Sequence, residues 1–378
     1  MVYKQNVQTA WILLIPVIIL LVIGAIMILS TSSVVGLSSF NNSFYFIKKH
    51  TVYLAIGIMA FIVGLKTPHL IYKKYAIWGL LFSVFLLGLT IIPGIGHRAL
   101  GASRWIHLGF ISFQPTEIAK FFIIVFVATS LENKKNTIQY AFKGWIPILM
   151  IVAIPTFFLG LQPDLGSIGV ITLSVFTLLF LSGIRLSHLL TLFLIGISMI
   201  IISVLKYPYQ FQRITAFLSP WEDPTGKSYH TIQSLIAIGS GGFWGLGLGE
   251  SKLKHSYLPM QYSDFIFSIT CEEGGFILAA LVLLMFACIF HIGFSIAKQS
   301  YQLFSYYLCL GLLMTIMFQS IINIAVVTGI FPVTGIPLTF ISFGGTSLMM
   351  SLFSIGVVLN ISKYNTFVHK KEQKGLIE

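Results

Sequence analysis

Acidic residues are scarce in this chain. Its 378 residues include 11 Asp and Glu against 23 Lys and Arg, so charged residues make up only 9% of the chain and the formal net charge is +12. Hydrophobic residues make up 56%. A soluble domain could not cover that much apolar surface with polar atoms, so the composition predicts a polytopic membrane protein.

Cysteine is also rare, and the motifs of soluble enzymes are missing. Cys271, Cys288 and Cys309 all fall in apolar segments, which favours small buried hydrophobes over a disulfide or a zinc site. The Gly-Lys-Ser at 226–228 lacks the glycine that a phosphate loop needs at position 221, which is Trp221. The basic residues lie in short loops rather than in one stripe, which argues against nucleic acid.

Apolar runs of about 20 residues recur along the whole sequence. They predict an all-α fold of ten transmembrane helices that forms a single domain over residues 1–378. The predicted spans are 11–30, 51–65, 75–92, 117–131, 146–161, 167–181, 189–205, 265–290, 301–327 and 347–361.

The distribution of Lys and Arg among the loops predicts the orientation. The basic residues are denser in the short loops on the side of the N-terminus, so we expect both termini in the cytoplasm, with residues 363–378 as a basic tail. In this orientation two loops face outward. One is residues 93–116, and the other is the large loop 206–263 between the seventh and eighth predicted spans. Within that loop, residues 231–249 are rich in Gly and Ser, which favours an interfacial or re-entrant segment packed against protein.

Three of the few acids lie between residues 257 and 276. Ionisable groups at membrane depth are costly, so Asp264, Glu272 and Glu273 are functional candidates. Asp264 falls at the predicted outer rim, where partial desolvation would give a carboxylate useful basicity. The more frequent role for such an Asp is to cap the helix that begins at Phe265. We expect Glu272 and Glu273 to pair inside the bundle.

Other charged residues on the predicted outer side have a structural and a functional interpretation. Glu117 and Lys120 share a helix face, either as a self-neutralising pair or as part of an active site. Asp164 lies in a tight turn, where it could cap the next helix or contribute to a site. Arg104 also has two interpretations, since it could anchor the chain at the membrane interface beside Trp105 or bind an anion.

Four stretches, at 101–120, 161–167, 221–234 and 257–276, together resemble the SEDS family of cell-wall polymerases (shape, elongation, division and sporulation). The resemblance covers essentially the whole chain, and residues 238–249 and 323–337 are more similar to its division branch, the FtsW type, than to its elongation branch, the RodA type. Met260 and Tyr262 depart from the pattern, since they stand where the family commonly has Glu and His, whereas Ser263 keeps the hydroxyl of the family's Thr.

The resemblance implies an inverting peptidoglycan glycosyltransferase that uses lipid II as donor and acceptor and releases undecaprenyl pyrophosphate during cell division. The family's catalytic aspartate falls on Asp264. The expected partners are a class B penicillin-binding protein (a transpeptidase) and other division proteins, with the active site on the outer face of the bacterial inner membrane at the septum. A RodA-like elongation polymerase, a lipid II flippase and a non-catalytic scaffold are the alternatives.

The chemistry of that reaction needs cations beside the leaving group. Charge-assisted hydrogen bonds from basic side chains stabilise a pyrophosphate, and a divalent cation such as Mg²⁺ or Mn²⁺ is compatible with the reaction, although the sequence shows no ligand cage for one. The predicted substrate-binding residues are Arg104, Glu117, Lys120, Asp164, Arg213 and Lys252.

Overall fold

The computed structural model describes residues 10–94, 96–99, 102–108, 111–206, 215, 217–222, 226, 228–251 and 261–373. These residues form α1 (Leu14–Phe40), α2 (Tyr45–Lys66), α3 (Leu70–Lys74), α4 (Ala76–Ile91), β1 (Gly96–Ala99), β2 (Ala102–Leu108), β3 (Ile111–Phe113), α5 (Pro115–Asn133), α6 (Ile146–Leu161), α7 (Leu165–Leu181), α8 (Leu186–Lys206), α9 (Tyr229–Gly241), α10 (Ile266–Lys298), α11 (Leu303–Val327) and α12 (Gly345–Gln373). A π-helical turn, Ala141–Trp145, leads into α6.

Each of the ten predicted spans coincides with one of these helices. Within the part of the chain that the structure describes, six helices are long and apolar enough to cross a membrane, namely α1, α2, α10, α11, α12 and α6 with its π-helical turn. The apolar segments of α4, α7 and α8 are shorter, and that of α8 is Leu186–Ser198. α5 carries Glu117, Lys120 and Glu132, which lowers its apolar character. The number of crossings and the orientation remain predictions.

The all-α prediction is wrong for the segment between α4 and α5. Here β1, β2 and β3 form an antiparallel sheet in which Ile106 pairs with Gly96 on one side and with Phe113 on the other. Strands of three to seven residues inside a polar interval give no lasting alternation, so the sequence showed only a loop. The sheet packs over the ends of α4 and α5.

The interior of the bundle is built around α5 and α11. α11 packs against α5, α7, α10 and α12. At the crossing with α5, a Cβ on Gly311 would lie 2.4 Å from the side chain of Ile124, so no larger residue fits there without displacement. Such close approach is typical of helix packing in membranes, where small residues allow the backbones to come near.

α10 is broken inside its apolar run. Gly275 adopts φ +65° and ψ −164°, which interrupts the helical ladder. The segment 242–247, which follows α9, supplies the missing partners: Leu246 N–H donates to Glu272 O at 2.9 Å, and Phe276 N–H donates to Gly242 O at 3.0 Å. The predicted packing of residues 231–249 against protein is confirmed, and it satisfies polar backbone that hydrocarbon could not.

The connection from α11 to α12, residues 328–344, is irregular but enters the bundle. Ile336, Leu338, Phe340 and Ile341 are all buried. A Cβ on Gly24, in the middle of α1, would lie 2.8 Å from both the Phe340 carbonyl oxygen and the Ile341 Cα, so this connection reaches deep between the helices. It forms one wall of the site described next.

Candidate active site

The turn that carries Asp264 is held in place by hydrogen bonds that three of its successive main-chain carbonyls accept. Phe343 N–H donates to the carbonyl of Tyr262 at 3.0 Å, and Ser342 Oγ donates to that of Ser263 at 2.7 Å. Asn323 Nδ2 donates to that of Asp264 at 2.8 Å. The connection 328–344 and α11 therefore fix the backbone of this turn, which leaves the half-buried Asp264 carboxylate to project from a rigid base.

Arg104 on β2 reaches toward the same point from the sheet. Its Nε donates to the carbonyl of Gln162 at 3.1 Å, and a second guanidinium nitrogen donates to the carbonyl of Pro163. A third, longer contact of 3.9 Å joins the guanidinium to Asp164 Oδ1. These contacts orient the planar guanidinium at the end of α6, so it acts as a fixed cation rather than a loose anchor.

Gly335 lies close to both Arg104 and Asp264. A Cβ built on this glycine would lie 3.6 Å from Asp264 Oδ2 and 3.9 Å from an Arg104 guanidinium nitrogen. The carboxylate and the guanidinium are therefore no farther apart than the sum of these distances. Gly335 has φ +75°, a conformation that L side chains rarely adopt, so a bare backbone lines the gap between acid and cation.

The surroundings of Asp264 make its carboxylate more basic than an exposed aspartate. Burial raises the pKa of Asp264, while the hydrogen bond from Ser263 Oγ at 2.8 Å and the positive charge of Arg104 act in the opposite direction. Burial is the largest of these effects, so the pKa lies above its ordinary value. A carboxylate whose pKa is raised in this way accepts a proton more readily than free aspartate does.

Asp164 caps α7, as the sequence allowed. Its Oδ1 accepts a hydrogen bond from Ser167 N–H at 3.3 Å. Its Oδ2 is buried with no hydrogen-bond partner, and the Arg104 contact is the only ion pair found for Asp164 among the described residues. The cap and the ion pair together tie the end of α6, the start of α7 and β2 into one corner of the site.

Glu117 and Lys120 form a buried pair behind this corner. Lys120 Nζ donates to Glu117 Oε1 at 2.7 Å and to Gln319 Oε1 at 2.6 Å. Gln319 in turn donates to the carbonyl of Pro337 at 3.2 Å. A cavity of about 20 Å³ beside the pair is large enough for one water molecule. The pair thus supports the connection 328–344, and both of its side chains are buried.

Glu272 and Glu273 lie at the break in α10, away from the gap. Ser30 Oγ donates to Glu273 Oε1 at 2.6 Å, and Ser251 Oγ donates to Glu272 Oε2. Both carboxylates are buried. Their contacts join α10 to α1 and to the end of the large loop, which fits the expected structural role.

Tyr262, one of the departures from the family pattern, belongs to an aromatic cluster. Its ring centroid lies 4.5 Å from that of Phe46 and 5.9 Å from that of Phe343. Burial and, to a smaller extent, the Asp264 carboxylate raise the pKa of Tyr262. Tyr262 therefore packs the turn against α2 as a neutral side chain. Met260 lies outside the described residues.

Two of the predicted substrate-binding cations, Arg213 and Lys252, also lie outside the described residues. The described part of the chain contains no group of three His, Cys, Asp or Glu side chains that could hold a metal ion. Arg104 pairs with Asp164 and its positive charge acts on Asp264, so this cation competes with a metal for both carboxylates. Among the residues that the structure describes, this donor set does not fit a resident divalent cation.

The sequence did not single out Asn323, Gln319 and Gly335, although all three shape the site. Gln319 and Asn323 are four residues apart in the apolar run of α11, so they share one helix face. Two side-chain amides on one face of a membrane helix could have indicated that this face lines a functional site. Gly335 could not have been recognised in this way, because a glycine in a connection between helices can have many structural roles.

Comparison with known proteins places this geometry in a family. The FtsW/RodA/SpoVE family model, described as a cell cycle protein, matches residues 10–367. Stage V sporulation protein E of Bacillus subtilis is 39% identical over 355 residues, which cover 94% of this chain and 97% of that protein. "Probable peptidoglycan glycosyltransferase FtsW" of Coxiella burnetii is 39% identical over 358 residues, covering 93% and 95%.

Solved structures show the same fold. One, described as "Structural coordination of polymerization and crosslinking by a peptidoglycan synthase complex", aligns with a TM-score of 0.77 and 26% identity and covers 94% of this chain and 98% of that one. The rod shape determining protein RodA of Thermus thermophilus aligns with a TM-score of 0.67 and 25% identity, covering 93% and 96%. The predicted resemblance is confirmed: this chain belongs to the FtsW/RodA/SpoVE family of cell cycle proteins.

Proposed function

We propose that this membrane protein is a peptidoglycan glycosyltransferase that polymerises lipid II, with Asp264 as the general base. The relatives named FtsW carry this activity in their names. The single observation that supports the residue assignment is the gap at Gly335, where a half-buried carboxylate of raised pKa faces a fixed guanidinium.

The two groups suit the two halves of the reaction. Asp264 accepts the proton of the acceptor sugar hydroxyl as the hydroxyl oxygen attacks the anomeric carbon of the donor. The new glycosidic bond forms with inversion as the bond from that carbon to the pyrophosphate breaks. Arg104 stabilises the negative charge that develops on the leaving pyrophosphate, with the outer-loop cations Arg213 and Lys252 as further contributors.

The other predicted residues act around this pair. Asp164 orients Arg104, while Glu117 and Lys120 hold the connection 328–344 through Gln319. The site faces outward, as the predicted positive-inside orientation requires, and both lipid tails remain in the bilayer. The relatives named FtsW support a role in division rather than elongation.

The decisive experiment uses the purified full-length protein, lipid II and an assay for glycan strands, with and without a class B penicillin-binding protein, the proposed partner at the septum. Asp264→Asn should abolish the polymer. Glu132→Gln is the matched control, because this acid lies at the other end of α5 in a partly exposed pair with Lys73 and should leave the polymer unchanged. Normal polymer from a folded Asp264→Asn protein would refute the base assignment.

The same proteins distinguish the alternatives. A flippase would move lipid II across proteoliposomes in the Asp264→Asn variant as fast as in the parent protein. A scaffold would support growth of cells that carry only the Asn variant. We expect neither result.

A further inference from the structure

A large open cavity lies at the end of the bundle opposite Asp264. It has a volume of about 670 Å³, within the usual range for ligand pockets. Its walls are the turn after α5, the π-helical turn before α6 and the start of α8. α5 begins and α6 ends beside Arg104, so the connection between them belongs to the far end. Nothing in the polymerisation site uses this cavity.

The lining of the cavity is basic. Lys143 and Arg185 enter it from two different connections, and His188 lies beside them. The described residues that line it include no Asp or Glu. The acid nearest in sequence, Glu132, pairs with Lys73 at 2.5 Å instead. Two cations without a carboxylate between them favour an anionic occupant.

His188 is oriented as a further donor. Trp145 Nε1–H donates to His188 Nδ1 at 3.2 Å. A ring nitrogen that accepts this bond carries no proton, so the proton of the neutral imidazole is on Nε2. His188 can therefore donate a hydrogen bond without being charged, and buried Trp145 fixes the ring. The first turn of α8 contains no acid, so its N–H groups add to the positive potential.

The rim of the cavity is aromatic. Phe142 is 84% exposed and Tyr140 is 58% exposed, and both lie next to the basic residues. Exposed aromatic side chains beside Lys and Arg at helix ends are typical of the membrane–water interface, where they lie at the level of the lipid headgroups. A soluble anion would need the cations alone, whereas a lipid would also use these rings.

We propose that this cavity, formed by residues 137–143, Arg185 and His188, is a binding site for the phosphate headgroup of an anionic phospholipid. Lys143 and Arg185 contact the phosphate, His188 Nε2–H donates to it, and Phe142 and Tyr140 contact the start of the acyl chains. With Asp264 on the outer side, this lipid belongs to the cytoplasmic leaflet.

Native mass spectrometry of the full-length protein in detergent tests the site, with phosphatidylglycerol and phosphatidylcholine of the same acyl chains as probes. We expect one tightly bound phosphatidylglycerol per chain in the parent protein and binding weakened roughly tenfold or more in Lys143→Gln/Arg185→Gln. Lys66→Gln/Lys74→Gln is the matched control, because it removes the same charge from exposed residues at the same end and should bind like the parent.

Two results would overturn the proposal. If both double variants lose phosphatidylglycerol equally, or neither does, the binding is annular and the cavity is not its site. If millimolar inorganic phosphate or glycerol phosphate displaces the lipid, or binds while phosphatidylglycerol does not, the cavity takes a soluble phosphate instead. Because the four substituted residues are on the surface, circular dichroism should show unchanged folding for both variants.

Discussion

The side-chain amide of Asn323 donates a hydrogen bond of 2.8 Å to the main-chain carbonyl of Asp264. The same nitrogen donates to the carbonyl of Ile336 at 2.7 Å, so one buried amide joins the turn of the acid to the wall of the site. This arrangement makes Asn323 a positioning residue, since it acts on the carboxylate through the backbone rather than on the substrate.

Replacing Asn323 should therefore impair the rate more than the fold. Asn323→Ala removes both hydrogen bonds and leaves two buried carbonyls with one partner fewer, at a cost of about 1–3 kcal/mol. We expect a fall in kcat with KM nearly unchanged. Ser320→Ala is the matched control, because this equally buried residue donates a hydrogen bond within its own helix, to Ile316 O at 3.0 Å, and has no other side-chain hydrogen bond among the described residues. Equal rates for the two variants would contradict the positioning role.

The hydroxyl of Ser263 should set the acidic limit of activity. Its hydrogen bond lowers the pKa of Asp264 against the stronger effect of burial. Since the base works ionised, activity should be lost as the pH falls through the raised pKa. Ser263→Ala should move that loss to higher pH, whereas Ser263→Thr keeps the hydroxyl and should not. The pH profile of polymerisation measures both, and a profile that Ser263→Ala leaves in place would refute this account.

The raised pKa of Asp264 also determines how the stability of the folded protein changes with pH. The protonated form of Asp264 is favoured in the folded state, so its contribution to the free energy of unfolding is complete below the unfolded-state pKa and declines as the pH rises through the folded-state pKa. Asp264→Asn removes that titration. We expect the variant to gain thermal stability relative to the parent as the pH is raised from acid to neutral, measured by thermal unfolding in detergent.

Gly335→Ala should show whether an added methyl group blocks the site or only strains the backbone. At φ +75° an Ala costs about 1–2 kcal/mol, and its methyl group would lie 3.6 Å from Asp264 Oδ2 and 3.9 Å from an Arg104 guanidinium nitrogen. Gly183→Ala is the control, because it has φ +80° and open space around the added Cβ. Thermal unfolding should show similar losses of stability for both. Only Gly335→Ala should lose polymerisation, and equal activities would show that the gap tolerates a methyl group.

The buried pair of Glu117 and Lys120 should be tested as a unit. Lys120→Met leaves a buried carboxylate without its cation and should destabilise the protein by about 3–5 kcal/mol. The double variant Glu117→Gln/Lys120→Met should recover most of that stability in thermal unfolding. If the double variant is stable and polymerises lipid II, the pair is structural. A stable but inactive double variant would support the direct substrate contact predicted from the sequence.

The helices could be predicted because the apolar runs are long. Each predicted span coincides with a helix, and the Gly-rich segment after α9 packs against protein as its composition predicted. The sheet of β1 to β3 was missed, since three short strands depend on one another and not on a local pattern.

The site was predicted only in its residue types. Asp264 was a candidate because an acid at the start of an apolar run is costly, and the family resemblance favoured catalysis over helix capping. Its relation to Arg104 could not, because the two are far apart in the sequence and meet only where the connection 328–344 folds back into the bundle. Burial of that connection depends on Gly24 and the side chains around it, which no local pattern in residues 328–344 indicates.

The break in α10 is closed by residues that come earlier in the chain. The carbonyls of Glu272 and Glu273 at the break accept hydrogen bonds from Leu246 and Gly247. Those two residues precede α10 in the chain, so they are synthesised and leave the ribosome before the residues of the break do. The segment 242–247 is therefore present when the broken turn of α10 enters the membrane, so the carbonyls of that turn need not face lipid without hydrogen-bond donors. A circular permutant that places residues 229–251 after α12 would reverse this order and expose the open turn during insertion.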